Sequence, residues 1–310
     1  MKKVITLVGP TASGKTSLAI NLAKRISGEI ISLDSRQIYK GMTIGTAQPD
    51  KKEMEGVKHH LVSSLNPSDF ISSGMYANLV KKKINEIKKQ NKIPVLCGGA
   101  GLYYRTIQKG IFEGSISNLK IRDKLEKQYQ KNPNKLFKRL KKIDKEYAEI
   151  VHINNKQRLI RAIEIYECTG KSPTENFNSQ DINSSKAIKM FTIFLKWERT
   201  SLNKRIKNRT SEMFRMGWID EVRNLLQLQL EQNKKFPPLD SIGYKHIKLF
   251  LDNEISEDEM LKIIYIKTRQ LARKQEKWFK KEPIDLYIMM DSLKDEKINK
   301  ILDCFLKRIT

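Results

Sequence analysis

The chain has 310 residues, enough for one large domain or two modest ones with a sizeable core. Apolar residues make up 39% and charged residues 31%, the balance of a soluble globular protein, and no run approaches the roughly 20 apolar residues of a membrane span. Lys and Arg number 60 against 35 Asp and Glu, a net charge of +25 that points to a polyanion such as nucleic acid, although abundant Lys, Asn and Ile also fit AT-rich coding.

Residues 4–8 form a short apolar run ahead of a glycine loop, too short for a signal peptide and suited to a buried parallel strand. From Thr16 the apolar residues Leu18, Ala19, Leu22, Ala23 and Ile26 keep helical spacing, and Gly28 is the expected stop. Residues 29–33 read as a second strand ending at Asp34. Residues 75–89 read as an amphipathic helix, and 93–97 as a buried strand closed by Gly98 and Gly99. This alternation predicts a doubly wound parallel sheet. From 119 to 170 the chain reads as helical, lysine-rich and without strands, with Gly170 as C-cap of a helix over 158–168. Residues 172–186, rich in Ser, Asn and Asp, read as a linker. A strand follows at 191–195, helices over 201–281 with a capping box at Ser256 and Glu259, and a late strand at 284–290. With the glycine loop that follows the first strand (Gly9-Pro10-Thr11-Ala12-Ser13-Gly14-Lys15-Thr16, the G-x-x-x-x-G-K-[ST] pattern), the fold class is α/β: a P-loop NTPase-like parallel sheet core over 1–114 and 186–310, with a helical insertion over 115–185 and a helical C-terminal region. Cys97, Cys168 and Cys304 lie far apart with no CxxC pair, as reduced thiols of a cytosolic protein do.

Gly9, Pro10, Thr11, Ala12, Ser13, Gly14, Lys15 and Thr16 fit G-x-x-x-x-G-K-[ST] in a strand–loop–helix context. Glycines let backbone N–H groups converge on an anion, and the helix N-terminus adds about half a positive charge. Lys15 supplies a full charge, and Thr16 offers a hydroxyl for Mg²⁺. The loop specifies phosphate without specifying a nucleotide. A small-molecule or nucleotide kinase fits, with Asp34 as the metal-holding carboxylate and Arg158 and Arg161 on a mobile lid. So does an RNA-binding module with a vestigial loop.

The residues after Asp34 separate these readings. Asp34-Ser35-Arg36-Gln37-Ile38-Tyr39-Lys40-Gly41 and Gly45-Thr46-Ala47 closely resemble the bacterial tRNA dimethylallyltransferase (tRNA isopentenyltransferase) family. So do His60-Leu61, Gly98-Gly99 with Leu102-Tyr103, Gln157-Arg158-Leu159-Ile160-Arg161-Ala162 with Glu164, Thr169-Gly170-Lys171, Ile242-Gly243-Tyr244-Lys245, and residues 268–275. These blocks run in order from Gly9 to Phe279.

The resemblance implies a P-loop core whose helical insertion grips the tRNA anticodon stem-loop. It implies transfer of a dimethylallyl group from dimethylallyl diphosphate to N6 of the adenosine 3′-adjacent to the anticodon, with Mg²⁺, in the cytoplasm, by a monomer. Asp34 is then the general base: an exocyclic amine with a delocalised lone pair needs a carboxylate to orient it and take its proton. The alternatives are a metal-holding or helix-capping Asp. Thr11, Lys15 and Arg209 stand on the side of the departing diphosphate, where negative charge grows. Arg205 and Arg209 share a helical face, which a solvated basic stripe explains equally well. By match to the family, the tRNA surface comprises Asp34, Ser35, Arg36, Gln37, Ala100, Arg122, Gln157, Arg158, Leu159, Ile160, Arg161, Asp240, Ser241, Ile242, Gly243, Tyr244 and Lys245. Ala100 departs from the usual Thr, so one hydroxyl contact is lost there. Asp240 and Ser241 occupy a segment that is often basic. Adjacent His59 and His60 point to opposite faces of a strand and make a poor metal site. Trp197, Trp218 and Trp278 fit the core better than a stacking platform.

Overall fold

The computed structural model describes residues 3–110, 118–182, 187–291 and 295–309. They fall into two compact units: Met1–Ile71, Asn78–Arg105 and Lys189–Thr310 in the first, Ser72–Ala77 and Thr106–Ile188 in the second.

The first unit is built on six strands, β1 (Val4–Val8), β2 (Gly28–Leu33), β3 (His59–His60), β4 (Ile93–Gly98), β5 (Met190–Lys196) and β6 (Leu286–Met289). They lie in the order β3-β2-β4-β1-β5-β6, and every pair is parallel. All five residues of β1 are buried, as a strand covered on both faces requires. Val8 and Leu33 both stand opposite Gly98 in the register. The loops beginning at Gly9, Asp34 and Gly99 therefore leave the sheet side by side at its carboxyl edge, where open α/β sheets bind ligands.

Helix α1 (Lys15–Arg25) buries Leu18, Ala19, Leu22 and Ala23 against this sheet, each large side chain contributing roughly 1.5–3 kcal/mol. It starts one residue before the expected Thr16. The expected stop at Gly28 is wrong: the left-handed turn falls on Ser27 (φ 49°), and Gly28 pairs with Ile93 as the first residue of β2. Helices α2 (Ser73–Lys89) and α3 (Gly101–Lys109) follow β3 and β4. His60 Nε2 meets Glu29 Oε2 at 2.6 Å while His59 Nδ1 meets the Val57 carbonyl at 2.8 Å, so the two rings diverge.

The second unit contains α4 (Leu119–Lys131), α5 (Pro133–Ile143), α6 (Lys145–Ile150), α7 (Lys156–Thr169) and α8 (Pro173–Ile182), with no strand among its described residues. Leu125, Leu136, Leu140, Leu159 and Ile163 form its core. Asn118, Asn132, Asp144 and Asn155 each accept the backbone N–H three residues on, capping one helix apiece. Gly170 (φ 70°) closes α7 as expected. The expected linker over 172–186 is instead α8 as far as Ile182. Ser172 Oγ accepts the Glu175 N–H and Glu175 returns the bond to the Ser172 N–H, while buried Asn176 donates to the Thr169 hydroxyl and two carbonyls. Polar residues that look like linker are caps here. Residues 183–186 lie outside the described residues. The unit is also wider than 115–185, because α3 runs unbroken across its boundary and composition does not mark the change.

The rest of the first unit is helical: α9 (Arg199–Arg215), α10 (Trp218–Glu231), a 3₁₀ turn Pro237–Asp240, α11 (Tyr244–Leu251), α12 (Glu257–Phe279) and α13 (Asp295–Ile309). The capping box of Ser256 and Glu259 opens α12. Helix α13 has no counterpart in the elements read from sequence; it buries Ile298 and Leu302 in the sheet core. No described helix is long and apolar enough to cross a membrane.

Candidate active site

The glycine loop opens on a cavity of about 640 Å³, whose lining includes Thr11, Lys15, Thr16, Asp34, Arg209 and Gln275. Left-handed Ala12 (φ 65°) and Gly14 (φ 84°) bend the loop. Its carbonyls are held by neighbours: Arg205 Nε donates to Ala12 O at 2.8 Å and Trp197 Nε1 to Ser13 O at 3.0 Å. Arg205 also stacks on Trp197 at 4.4 Å. With those carbonyls occupied they cannot turn toward an anion in the cavity.

Lys15 is half-buried as a residue, but its ammonium turns into the loop, donating to Pro10 O at 2.7 Å and contacting Ser13 Oγ at 3.4 Å. Burial lowers its pKa to about 8, and the nearby Arg209 charge acts in the same direction, while Asp34 opposes it. Arg209 donates to the Thr11 hydroxyl. Burial lowers its pKa to about 10, so it remains charged at neutral pH. Two cations held at a desolvation cost in one cavity form a site preset for an anion. Thr11, Lys15 and Arg209, expected together from sequence, are together here.

Asp34 ends β2 in the same cavity. Its Oδ1 accepts the backbone N–H of Arg36 at 2.7 Å and of Gln37 at 3.3 Å. Its Oδ2 has no hydrogen-bond partner among the described residues. One oxygen therefore caps the turn and the other is left without a hydrogen bond, so the capping and base readings are compatible. Gln37 ties this turn to the next loop: Nε2 donates to the Thr46 and Ala47 carbonyls, and Oε1 accepts from Ser32 Oγ at 3.0 Å. Cys97 lines the cavity too; burial raises its thiol to about 11, which keeps it protonated.

The donor set fits Mg²⁺. Thr16, with its hydroxyl, lines the cavity beside the phosphate loop, and no group of three His, Cys, Asp or Glu that could hold a metal occurs among the described residues. A hard ion that takes one or two protein oxygens and completes its shell with phosphate oxygens and water suits this arrangement.

Of the expected tRNA surface, Asp34, Ser35, Arg36, Gln37 and Ala100 stand together at the carboxyl edge of the sheet, all partly exposed. In the helical unit Gln157 and Arg158 are exposed, Arg122 and Arg161 partly so, but Leu159 and Ile160 are core residues. Asp240 and Lys245 are exposed, and Ser241 and Ile242 half-buried. Gly243 and Tyr244 are buried and supply packing rather than surface. Tyr244 donates to Glu221 at 2.6 Å. The indole of Trp218 covers both Gly45 and Gly243, where a Cβ would come within 2.0 Å of the ring.

Glu221 was not singled out from sequence. Its buried carboxylate accepts from Thr43 N and Oγ1, Ile44 N, Gly45 N and Tyr244 Oη. The available signal was an acid on the apolar stripe Trp218, Val222 and Leu225 of α10. Gln275 lay within a matched block with no role attached; its amide joins Thr11 N–H to the Gly99 carbonyl.

Comparison with known proteins agrees with this geometry. The family model described as IPP transferase matches residues 37–282. The tRNA dimethylallyltransferase of Acetivibrio thermocellus is 38% identical, over 99% of this chain and 98% of that protein. The Petrotoga mobilis enzyme of the same name is 40% identical, over 99% and 100%. Among solved structures, the Bacillus halodurans tRNA isopentenylpyrophosphate transferase superposes with TM-score 0.71 at 33% identity, covering 99% of this chain and 96% of that one. A eukaryotic dimethylallyltransferase acting on tRNA gives TM-score 0.83 at 29% identity, covering 99% and 80%. With a model matching well over half of its length and relatives this similar from end to end, the chain belongs to the IPP transferase family.

Proposed function

We infer that this protein is a tRNA dimethylallyltransferase that moves the dimethylallyl group of dimethylallyl diphosphate onto N6 of the adenosine 3′-adjacent to the anticodon. The observation that carries the reading is the shared cavity: a phosphate loop with two desolvated cations on one side and the open Oδ2 of Asp34 on the other.

In this reading the N6 lone pair forms the new N–C bond as the carbon–oxygen bond to diphosphate breaks. The bonding electrons leave with the diphosphate, and the N6 proton passes to Asp34 Oδ2. Thr11, Lys15 and Arg209 stabilise the growing negative charge, in a site where desolvation strengthens each interaction. Thr16 would hold Mg²⁺, which when bound would supply further charge neutralisation at the diphosphate. The target adenosine leaves its stack to reach the carboxylate, which an unpaired loop makes inexpensive. Arg122, Arg158 and Arg161 bind the stem-loop backbone through planar guanidinium forks, and exposed Gln157 adds an amide donor and acceptor.

The test is a reconstitution with purified protein, Mg²⁺, dimethylallyl diphosphate and an adenosine-rich anticodon stem-loop, read by mass spectrometry of the nucleosides. Prenylated adenosine is expected. Asp34→Ala should abolish turnover while stem-loop binding persists. ATP-dependent phosphorylation with no prenyl product would favour a kinase, and near-normal rates from Asp34→Ala would remove Asp34 as the base.

A further inference from the structure

Glu164 lies on α7 between Ile163 and Ile165 and is fully buried in the helical unit. A lone ionised carboxylate there would be costly, so its partners identify its role. Its Oε1 accepts the backbone N–H of Asn118, the N-cap of α4, at 2.9 Å. Its Oε2 stands 2.9 Å from Arg161 Nη1, one turn back on α7, and 3.5 Å from Arg122 Nη2 on α4. One carboxylate thus faces two arginines from two helices and also pins the start of the helix that carries one of them. Both arginine side chains are partly exposed, 26% for Arg161 and 29% for Arg122. Arg122 opens on a cavity of about 210 Å³ that Glu126, Lys156, Gln157 and Ile160 also line.

We propose that Glu164 is a positioning residue for tRNA: a buried counter-charge that holds Arg122 and Arg161 as a fixed pair for phosphates of the stem-loop backbone. The inference rests on the reading of the helical unit as a tRNA-binding surface. Each ion pair sets the counter-charge against one terminal nitrogen of a guanidinium that carries five N–H donors, which restrains the head group of a side chain that still reaches solvent. Long arginine side chains otherwise lose rotamer entropy when they bind. A carboxylate on an RNA-facing surface would repel phosphate; buried beneath two arginines it orients them and leaves the pair with a net positive charge.

The sign of the effect separates this role from its opposite. If Glu164 competed with phosphate for the arginines, neutralising it would tighten tRNA binding. If it positions them, Glu164→Gln weakens binding despite making the protein more positive. In steady-state kinetics on the full chain, Glu164→Gln is expected to raise KM for the stem-loop about tenfold, with the change in KM rather than in kcat or in KM for dimethylallyl diphosphate. The salt dependence of stem-loop binding should become shallower by about one phosphate contact. In an Arg122→Ala/Arg161→Ala background the same substitution should add less than about twofold, because residues acting as one unit are non-additive. Glu164→Asp, which keeps the charge with a shorter reach, should fall between wild type and Glu164→Gln. Unchanged or tighter binding by Glu164→Gln, with the arginine variants weakened, overturns the positioning role alone. Full additivity in the double-arginine background also overturns it, by showing a purely structural effect. Unweakened binding by the arginine variants would instead refute the reading of this surface as the tRNA site.

Discussion

The side-chain carbonyl of Gln275 accepts the backbone N–H of Thr11 at 2.8 Å, joining the C-terminal part of α12 to the phosphate loop. The same amide donates to the Gly99 carbonyl at 3.1 Å. One residue therefore sets the spacing between the loop that receives the diphosphate and the loop that carries Ala100. Gln275→Met keeps the length and loses both bonds, which together are worth roughly 1–3 kcal/mol. If the clamp serves the transition state, kcat should fall about 5–150-fold. Gln275→Glu retains an acceptor for Thr11, yet sets its second oxygen against the Gly99 carbonyl and a negative charge beside the diphosphate. It should lose more, chiefly in donor KM. Wild-type kinetics from Gln275→Met would show that the loops hold their spacing unaided.

Lys15 gives the enzyme a pH signature. Burial lowers its pKa from 10.5 to about 8. Above about pH 8 the ammonium sheds its proton, whereas a bound diphosphate holds it charged. Donor binding should then take up a proton, and donor affinity should fall by about tenfold per pH unit above that point. Below it, this group contributes no dependence. The folding consequence has the opposite sense: the native state binds fewer protons than the unfolded one between about 8 and 10.5, so this group's contribution to stability rises with pH through that window. Calorimetry at pH 8.5 in two buffers of different ionisation enthalpy measures the uptake. Equal heats in both would refute the shift, and Lys15→Arg should bind the donor with no such dependence.

Arg209 and Thr11 form a second pair in the site. The hydroxyl of Thr11 accepts from Arg209, whose burial lowers its pKa only to about 10. A permanently charged, desolvated donor on the leaving-group side should contribute mainly to the rate. Arg209→Ala is expected to reduce kcat by about 10²–10³. Thr11→Val, which leaves the guanidinium in place without its anchor, should cost less. A change confined to donor KM in Arg209→Ala would assign it to ground-state binding.

These dependences differ in how far the sequence revealed them. The sheet was legible because its strands are short apolar runs between glycine turns, and the phosphate loop because its spacing is nearly unique to that geometry. Arg209 was legible only through its four-residue offset from Arg205 and the family match. The second oxygen of Asp34 was beyond reach, since an Asp after a strand reads equally as a turn cap. Helix α8 was hidden because Ser172 and Asn176 have loop propensities, and only the reciprocal bonds of Ser172 with Glu175 and the Asn176 amide bonds mark a helix start. Tyr244 and Gly243 read as contact residues because they sit in a matched block, yet burial against Trp218 and Glu221 makes them supports. Long-range polar partnerships leave almost no trace in local pattern beyond an acid on an apolar stripe, which is how both Glu164 and Glu221 appear.

Glu221 supplies the last prediction. Its five donors come from Thr43, Ile44, Gly45 and Tyr244, so it anchors the segment whose Thr46 and Ala47 carbonyls hold the Gln37 amide. Gln37 in turn donates its backbone N–H to Asp34 Oδ1. Glu221→Ala strands several buried donors and should destabilise the protein by at least about 3 kcal/mol. Glu221→Gln keeps the shape but turns an amide NH₂ toward backbone N–H groups, so it loses part of the anchor while the fold persists. Its effect should appear in the acceptor: KM for the stem-loop rises severalfold, while donor binding measured by calorimetry without tRNA stays as in wild type. Gly45→Ala probes the same anchor from the other side, because the new methyl would lie within 2.0 Å of the Trp218 indole and force the two apart. It should reproduce the acceptor defect of Glu221→Gln, and combining the two should add little. Independent, additive effects on stem-loop KM would show that the carboxylate and the indole act on different parts of the site.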